Sequence, residues 1–277
     1  MRSERGPHRM IATLCLAMRR FTTLLLLACF VWSLSICAAR AEDAPAPTLE
    51  QTVERLNRCG VPGSLTSRLL ALVLEGELER KDAEEIAGAL LLPCEEGLPM
   101  EPFADKTAEG FSKRVQPARL CRVLRAKLDD YRSARSLLAP LAQPEGSPLL
   151  PEVLRSAGES LALGLPRSEA ESLVSAHRHA SPELLAVGLR VLALMRQTDY
   201  PQELARDIVD TGIVSKTLTP EWEYLSRVAL QAQQRGISEQ QLKQEALEAL
   251  REGQGLRGLM ARLGAVPRDP VGADRIP

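Results

Sequence analysis

The chain of 277 residues is 45% hydrophobic, 26% charged and only 3% aromatic, with 35 Lys and Arg against 36 Asp and Glu. That apolar fraction supplies a sizeable core and excludes a disordered chain. The polar character of the chain beyond its first forty residues excludes a multispanning membrane protein.

The chain begins with the pattern of a secretory signal peptide. Arg19 and Arg20 precede a mostly apolar run over 21–36, and Ala39-Arg40-Ala41 provides a small-residue cleavage site. The run has 16 residues, short of the roughly 20 that span a bilayer, which favours cleavage over retention. The sequence therefore predicts a signal peptide over 1–41.

The start and the processing of this leader leave alternatives open. Residues 1–17 are an upstream extension if Met18 rather than Met1 is the true start. We expect a periplasmic or secreted mature protein with no integral membrane span after cleavage. The alternative is a membrane-anchored form, held by an uncleaved signal or by lipidation at Cys29, although the apolar run continues beyond that cysteine.

Removing the leader makes the protein acidic. Residues 1–41 hold six Arg and one Glu, so 29 basic and 35 acidic residues remain, a net charge of −6. Affinity for nucleic acid comes largely from Lys and Arg that neutralise phosphates, and anionic lipid attracts basic segments. We therefore expect neither nucleic acid nor a lipid surface as a partner.

After a short lead-in over 42–47, the pattern is helical almost throughout. Thr48, Asp82, Ser168 and Ser238 each precede an acid or amide by three residues, the spacing of an N-terminal cap. Ser181-Pro182 and Thr219-Pro220 place proline at a first helical position. These signals predict helices near 48–59, 64–79, 82–92, 101–113, 117–139, 151–163, 168–178, 182–197, 201–211, 220–235 and 239–252, with a short one over 256–263.

The predicted helix ends share one signature, a glycine followed by an apolar residue. Glycine adopts the left-handed conformation at low cost, and the next side chain folds back onto the helix. Arg114-Val115-Gln116-Pro117 has the same turn pattern without its glycine. The helix-ending glycines predicted in this way are Gly60, Gly97, Gly164, Gly212 and Gly236.

Short links of this kind predict antiparallel neighbours, and weak repetition at roughly 35 to 50 residues suggests stacking. The predicted fold is all-α, either stacked antiparallel helical hairpins or an irregular helical bundle. We expect an N-terminal hairpin region over 48–139 and a C-terminal one over 151–263, separated by the proline-rich link 143–151. Residues 264–277 are predicted to form a flexible tail.

The helix over 117–139 illustrates how the core is built. Leu120, Leu124, Leu128, Tyr131 and Leu138 fall at helical spacing on one face. The other face carries charged residues, namely Arg122, Arg125, Asp129 and Arg132.

Three cysteines remain after cleavage. Cys59 and Cys94 each end a helix before a Gly-x-Pro turn, and in an up-and-down array the first and third helices end on the same side. We predict a Cys59–Cys94 disulfide with Cys121 free, and the alternative is three reduced buried thiols. The spacing contains no Cys-x-x-Cys and no cysteine–histidine cluster, so we expect no metal site and no cofactor.

Candidate catalytic residues are few. His177 and His179 lie near a predicted helix end, where exposed positive side chains are common. Glu109 is the one carboxylate considered as an acid or base, but Lys106 and Lys113 lie three and four residues away, which favours surface ion pairs. No hydrolase motif surrounds these residues, and the sequence predicts no catalytic residue.

Residues 97–131 contain Gly97-Leu98-Pro99, Pro102-Phe103, Lys106, Glu109-Gly110 and Asp130-Tyr131. This segment, about an eighth of the chain, resembles uncharacterised exported α-helical hairpin proteins of Gram-negative bacteria. The resemblance implies export and helical hairpins, and it implies no activity. The missing glycine at Arg114 departs from the pattern.

These observations favour an exported non-enzymatic helical protein that binds a protein partner, an envelope protein not identified by the sequence, or scaffolds a cell-envelope assembly. Hairpin arrays offer extended binding surfaces. Two alternatives remain: a cell-envelope enzyme that uses a carboxylate such as Glu109, and a binder of a small ligand between helices.

Overall fold

The computed structural model describes residues 48–142, 144 and 147–264. The predicted signal peptide over 1–41 lies outside the described residues, as does the predicted tail beyond Gly264. Within the described residues every regular element is helical, which confirms the all-α prediction. The protein forms a helical bundle.

Twelve α-helices and two 3₁₀-helices are present in the described part of the chain. Their order follows the predicted order, with bounds that differ by a few residues. The α-helices are α1 (Leu49–Arg58), α2 (Gly63–Leu74), α3 (Arg80–Glu95), α4 (Glu101–Ser112), α5 (Pro117–Leu138), α6 (Pro151–Ala162), α7 (Arg167–Ala176), α8 (Pro182–Arg196), α9 (Gln202–Ser215), α10 (Leu225–Gln234), α11 (Glu239–Arg251) and α12 (Gly255–Arg262), and the 3₁₀-helices are Ala139–Leu141 and Pro220–Tyr224.

Several helix starts follow from local capping chemistry. Thr48 forms a capping box with Gln51, and the hydroxyls of Ser181 and Ser238 accept from the backbone N–H three residues on. The predictions at Asp82 and Ser168 were wrong. The helix that contains Asp82 begins at Arg80, and the helix that contains Ser168 begins directly after Pro166. The ring of Pro166 fixes its φ at −59°, and the helix begins at the next residue, Arg167, one residue before Ser168.

The turns after α1, α3, α6 and α10 use glycine with positive φ at Gly60, Gly97, Gly164 and Gly236. The prediction at Gly212 was wrong because this glycine lies inside α9, where a Cβ would meet Leu218 at 3.0 Å. Lys216 takes the left-handed conformation instead, with φ +58°, and Thr217 N–H donates to the Gly212 carbonyl. Arg114 likewise adopts φ +49°.

The helices pack in a defined order. The helices α1, α3 and α5 pack in succession, with the shorter α2 and α4 lying against them. This alternation is that of stacked hairpins. From α5 onward the order is irregular, because α5 packs on α6, α6 on α8, α8 on α9, and α9 on α11.

Two clusters of buried side chains form the core. One runs from Leu49 to Tyr131 and includes Leu154, and the other runs from Ala134 to Leu259. The boundary between them falls inside α5 rather than in the link between the two predicted regions. The helix α5 therefore belongs to both clusters, and its predicted inward face, Leu120, Leu124, Leu128, Tyr131 and Leu138, is buried throughout.

A candidate binding groove beside helix α8

The helix α8 presents one face to the core and another to solvent. Leu185, Leu189 and Leu192 are buried, whereas Val187 and Arg190 are partly exposed. Ser181 caps the start of α8 by accepting from Leu184 N–H at 3.4 Å.

A cavity of about 770 Å³ lies beside the first half of α8. Its apolar lining includes Leu184 and Val187 of α8, Ile213 and Val214 at the end of α9, and Leu218 in the turn that follows. Val214 is 75% exposed, although it follows the buried Ile213. The cavity is open to solvent.

A second cavity of about 470 Å³ adjoins the first. Glu183, Val187 and Pro220 line both cavities, so the two are neighbouring parts of one surface region beside α8. Its far wall is α6, through Glu152, Val153, Arg155, Ser156 and Glu159. We call this surface region, with its two adjoining cavities, the α8 groove.

The helix α5 contacts the α6 wall of the α8 groove through hydrogen bonds to Glu159. The Oε1 atom of Glu159 accepts from Lys127 Nζ and from Tyr131 Oη at 2.8 Å. The Lys127 side chain is only 8% exposed, so its charge is neutralised by Glu159 inside the protein. Arg155, on the same wall, donates to Glu101 at 2.6 Å.

Arg190 lies at the α6 end of the α8 groove with part of its hydrogen-bonding capacity unused. Its Nε is 3.8 Å from Glu223 Oε2, an ion pair without a hydrogen bond. Its Nη1 is buried and has no hydrogen-bond partner among the described residues. Burial raises the pKa of the Glu223 carboxyl, and the charge of Arg190 offsets only part of this rise.

The opposite end of the α8 groove carries basic side chains. His177, His179 and Lys216 line it, and His179 and Lys216 are exposed. His177 is not the exposed residue that the sequence predicts: its side chain is 13% exposed. Its Nε2 lies 2.7 Å from Asp210 Oδ1 because α9 passes beside it.

Asp210 in turn accepts from Arg206 Nε at 2.8 Å. Asp210 thus contacts both His177 and Arg206, and these contacts hold the His177 ring in place. The described residues contain no group of three His, Cys, Asp or Glu that could hold a metal ion.

Glu109, the predicted candidate acid or base, does not line the α8 groove. Its carboxylate is 41% exposed and accepts from Lys106 and Lys113, each at 2.6 Å. These hydrogen bonds, first from Lys106 and then from Lys113, lower the pKa of Glu109 to about 2. A general acid at neutral pH needs a raised pKa, so these surroundings favour a surface ion pair.

The cysteines adopt the arrangement predicted from the helix count. Cys59, at the end of α1, is joined by a disulfide to Cys94 in the last turn of α3, with 5.9 Å between their Cα atoms. Cys121 is free and buried in α5. Burial raises the pKa of its thiol to about 11, which makes the thiolate scarce at neutral pH.

No protein-family model matches the chain, and no curated protein or solved structure is detectably similar to it. The resemblance of residues 97–131 to exported hairpin proteins thus stays a prediction. Among the described residues, no helix combines the length and the apolar character that crossing a membrane requires.

Sequence reasoning missed the residues that define the α8 groove. Arg190, Val214 and Glu223 come from three separate elements, and no motif joins them. The one available signal was Val214, an apolar residue that falls outside the buried stripe of α9.

Proposed function

We propose that this chain is an exported, non-enzymatic helical protein that holds a segment of a partner protein in the α8 groove. The observation that supports this most is the exposed Val214 beside Leu184 and Val187, in a depression rimmed by charges of both signs. Apolar surface of this kind, rimmed by polar residues, is typical of protein interaction sites.

The support for export comes from the sequence alone. The leader over 1–41 has the charge, apolar length and small-residue site of a cleaved signal peptide. A partner would therefore be met in the periplasm or outside the cell, as an envelope protein or as part of an envelope assembly.

A small ligand is the second candidate, favoured by one observation. The two cavities, about 770 and 470 Å³, both fall within the range of roughly 300–1,000 Å³ that is common for ligand pockets. Such pockets bury most of their ligand, whereas both cavities here are open to solvent. The experiment below separates the two candidates.

The test is site-specific photocrosslinking in the producing cell, with the full chain. A photoreactive amino acid replaces Val214 in the groove or, as the matched control, Val123, which is 39% exposed on α5. We expect the Val214 position to capture a discrete protein that mass spectrometry identifies and the Val123 position to capture none. Equal capture at both positions, or only a small-molecule adduct at Val214, would contradict the proposal.

A further inference from the structure

We infer that a cavity between α2 and α4 binds a small organic monocarboxylate that carries an apolar group, with the guanidinium groups of Arg68 and Arg114 as the donors to its carboxylate. This cavity shares no lining residue with the α8 groove, so the inference goes beyond the proposed function and is tested independently of it. Three observations support it: the backbone conformation of Arg114, the apolar surface of the cavity and the charge of its lining.

The first observation concerns the residues with positive φ. Within the described residues, eight glycines adopt this conformation together with three other residues, Arg114, Asp199 and Lys216. Each of these three lines a cavity: Lys216 the α8 groove, Asp199 a cavity of about 70 Å³, and Arg114 a cavity of about 520 Å³. None of the eight glycines lines any of these cavities. In the described part of the chain, non-glycine residues thus take positive φ where a turn borders a cavity.

The left-handed conformation of Arg114, with φ +49°, lowers the stability of the fold relative to glycine. Non-glycine residues held in such a conformation cluster at active sites and ligand-binding positions, where the side chain has a use that outweighs the strain. No ion pair within the described residues gives Arg114 such a use, because the nearest acid in sequence, Glu109, pairs with Lys106 and Lys113. A ligand in the adjacent cavity would supply one.

The cavity combines charged and apolar lining. Leu65 of α2 and Phe111 of α4 contribute apolar surface, and Arg68 of α2 lines the cavity together with Arg114. Arg68 Nη1 is 3.6 Å from Glu75 Oε2, too far for a hydrogen bond, so the guanidinium groups of both arginines have donors available. The volume of about 520 Å³ falls within the range of roughly 300–1,000 Å³ that is common for ligand pockets.

The charges of the lining determine the charge of the ligand. Arg68 and Arg114 are its two cations and Asp105 is its one acid, which gives a net charge of +1. A single carboxylate balances this charge, and the planar guanidinium group binds a carboxylate through two parallel hydrogen bonds. Asp105 would repel the second charge of a phosphate or a dicarboxylate. Leu65 and Phe111 favour an apolar group on the same molecule, because its transfer from water to apolar surface is favourable.

The experiment is an NMR titration of the full chain with 4-phenylbutyrate and octanoate, each compared with its primary amide, and with acetate. We expect saturable shifts of the Nε–H signals of Arg68 and Arg114 with at least one of the two longer carboxylates. Its amide should bind about tenfold more weakly or worse, because the charge-assisted hydrogen bonds are lost. No saturable shift with either carboxylate would overturn the inference. Equal affinity for the amide or for acetate would overturn it as well, since the charge or the apolar surface would then contribute nothing.

Variants assign the binding to the named residues. Arg114→Gly removes the backbone strain, so it should fold at least as stably as the parent chain and yet bind the carboxylate about tenfold more weakly. Arg114→Lys keeps the charge and should retain part of the affinity, and Asp105→Asn removes the repulsion and should raise the affinity severalfold. Arg119→Gln, exposed on α5 and outside the cavity, is the matched control for the loss of one positive charge and should bind like the parent chain. Unchanged binding by Arg114→Gly, or an equal loss in Arg119→Gln, would overturn the inference, and neither result bears on capture at Val214.

Discussion

Gly158 of α6 lies against the ring of Tyr131 in α5, so closely that a Cβ at residue 158 would come within 2.7 Å of two ring carbons. This contact joins the two core clusters, because Tyr131 belongs to the first and the neighbouring Ala157 to the second. The Tyr131 hydroxyl also donates to Glu159 on the groove wall. This close contact and this hydrogen bond both link α6, one wall of the α8 groove, to α5.

Gly158→Ala should destabilise the protein by about 1–3 kcal/mol, because the buried Tyr131 ring has to move. Gly88→Ala is the matched control: Gly88 lies in α3 and nothing approaches its Cβ position within 4 Å. There, alanine should be neutral or raise the free energy of unfolding by up to about 1 kcal/mol. Chemical denaturation of both variants decides, and equal effects would contradict the packing described.

The Cys59–Cys94 disulfide should be found by mass spectrometry of unreduced peptides. Replacing both cysteines by serine should lower the free energy of unfolding by about 3–4 kcal/mol, because the bond closes a separation of 35 residues. Cys121, with its thiol pKa raised to about 11, should resist alkylation until the protein unfolds. A 59–121 or 94–121 linked peptide would refute the packing of α1 on α3.

Glu109 should titrate as a surface carboxylate held by two lysines. Its pKa of about 2 lies below that of an unfolded chain, so the ion pairs stabilise the fold above the ordinary carboxyl range and are lost as the pH falls toward 2. Carbon-13 NMR of the Glu109 carboxyl should place its midpoint there, and Glu109→Gln should leave capture at Val214 unchanged. A midpoint above pH 6 would instead support a carboxylate enzyme.

Arg114→Gly should raise the free energy of unfolding by about 1 kcal/mol, because residue 114 has φ +49° and glycine adopts that conformation without strain. The same substitution at Arg122, exposed inside α5, should lower the free energy of unfolding by about 1 kcal/mol. Thermal unfolding of the two variants should therefore move in opposite directions. A loss at both positions would mean that the Arg114 side chain stabilises the turn.

Local patterns predicted the helices well, because capping and periodicity act within one or two turns. Thr48 and Ser238 cap helices as expected, and the buried face of α5 follows the 3.6-residue period. Gly212 was misread because its role is tertiary: it lets Leu218 pack on α9, while the turn itself falls at Lys216. Nothing near Gly212 in sequence distinguishes these two uses of glycine.

The α8 groove could not be predicted from sequence for a related reason. Its residues come from α6, from α8 and the turn before it, from the end of α9 and from the 3₁₀-helix Pro220–Tyr224, and their proximity depends on how these elements pack. The same holds for His177 and Asp210, which are 33 residues apart. The one signal in the sequence is Val214, an apolar residue that lies outside the buried face of α9 and therefore indicates an exposed apolar surface.

The most direct test of the α8 groove as a binding surface is the photocrosslink yield from position 179, measured in chains that also carry Val214→Asp or Val123→Asp. Both residues are exposed, so both variants should fold, as circular dichroism would verify. If a partner protein contacts the apolar lining of the α8 groove, Val214→Asp should reduce the yield about tenfold or more, since the new charge would be buried without a counter-charge. Val123→Asp should leave the yield unchanged. Equal yields from the two variants would contradict the account.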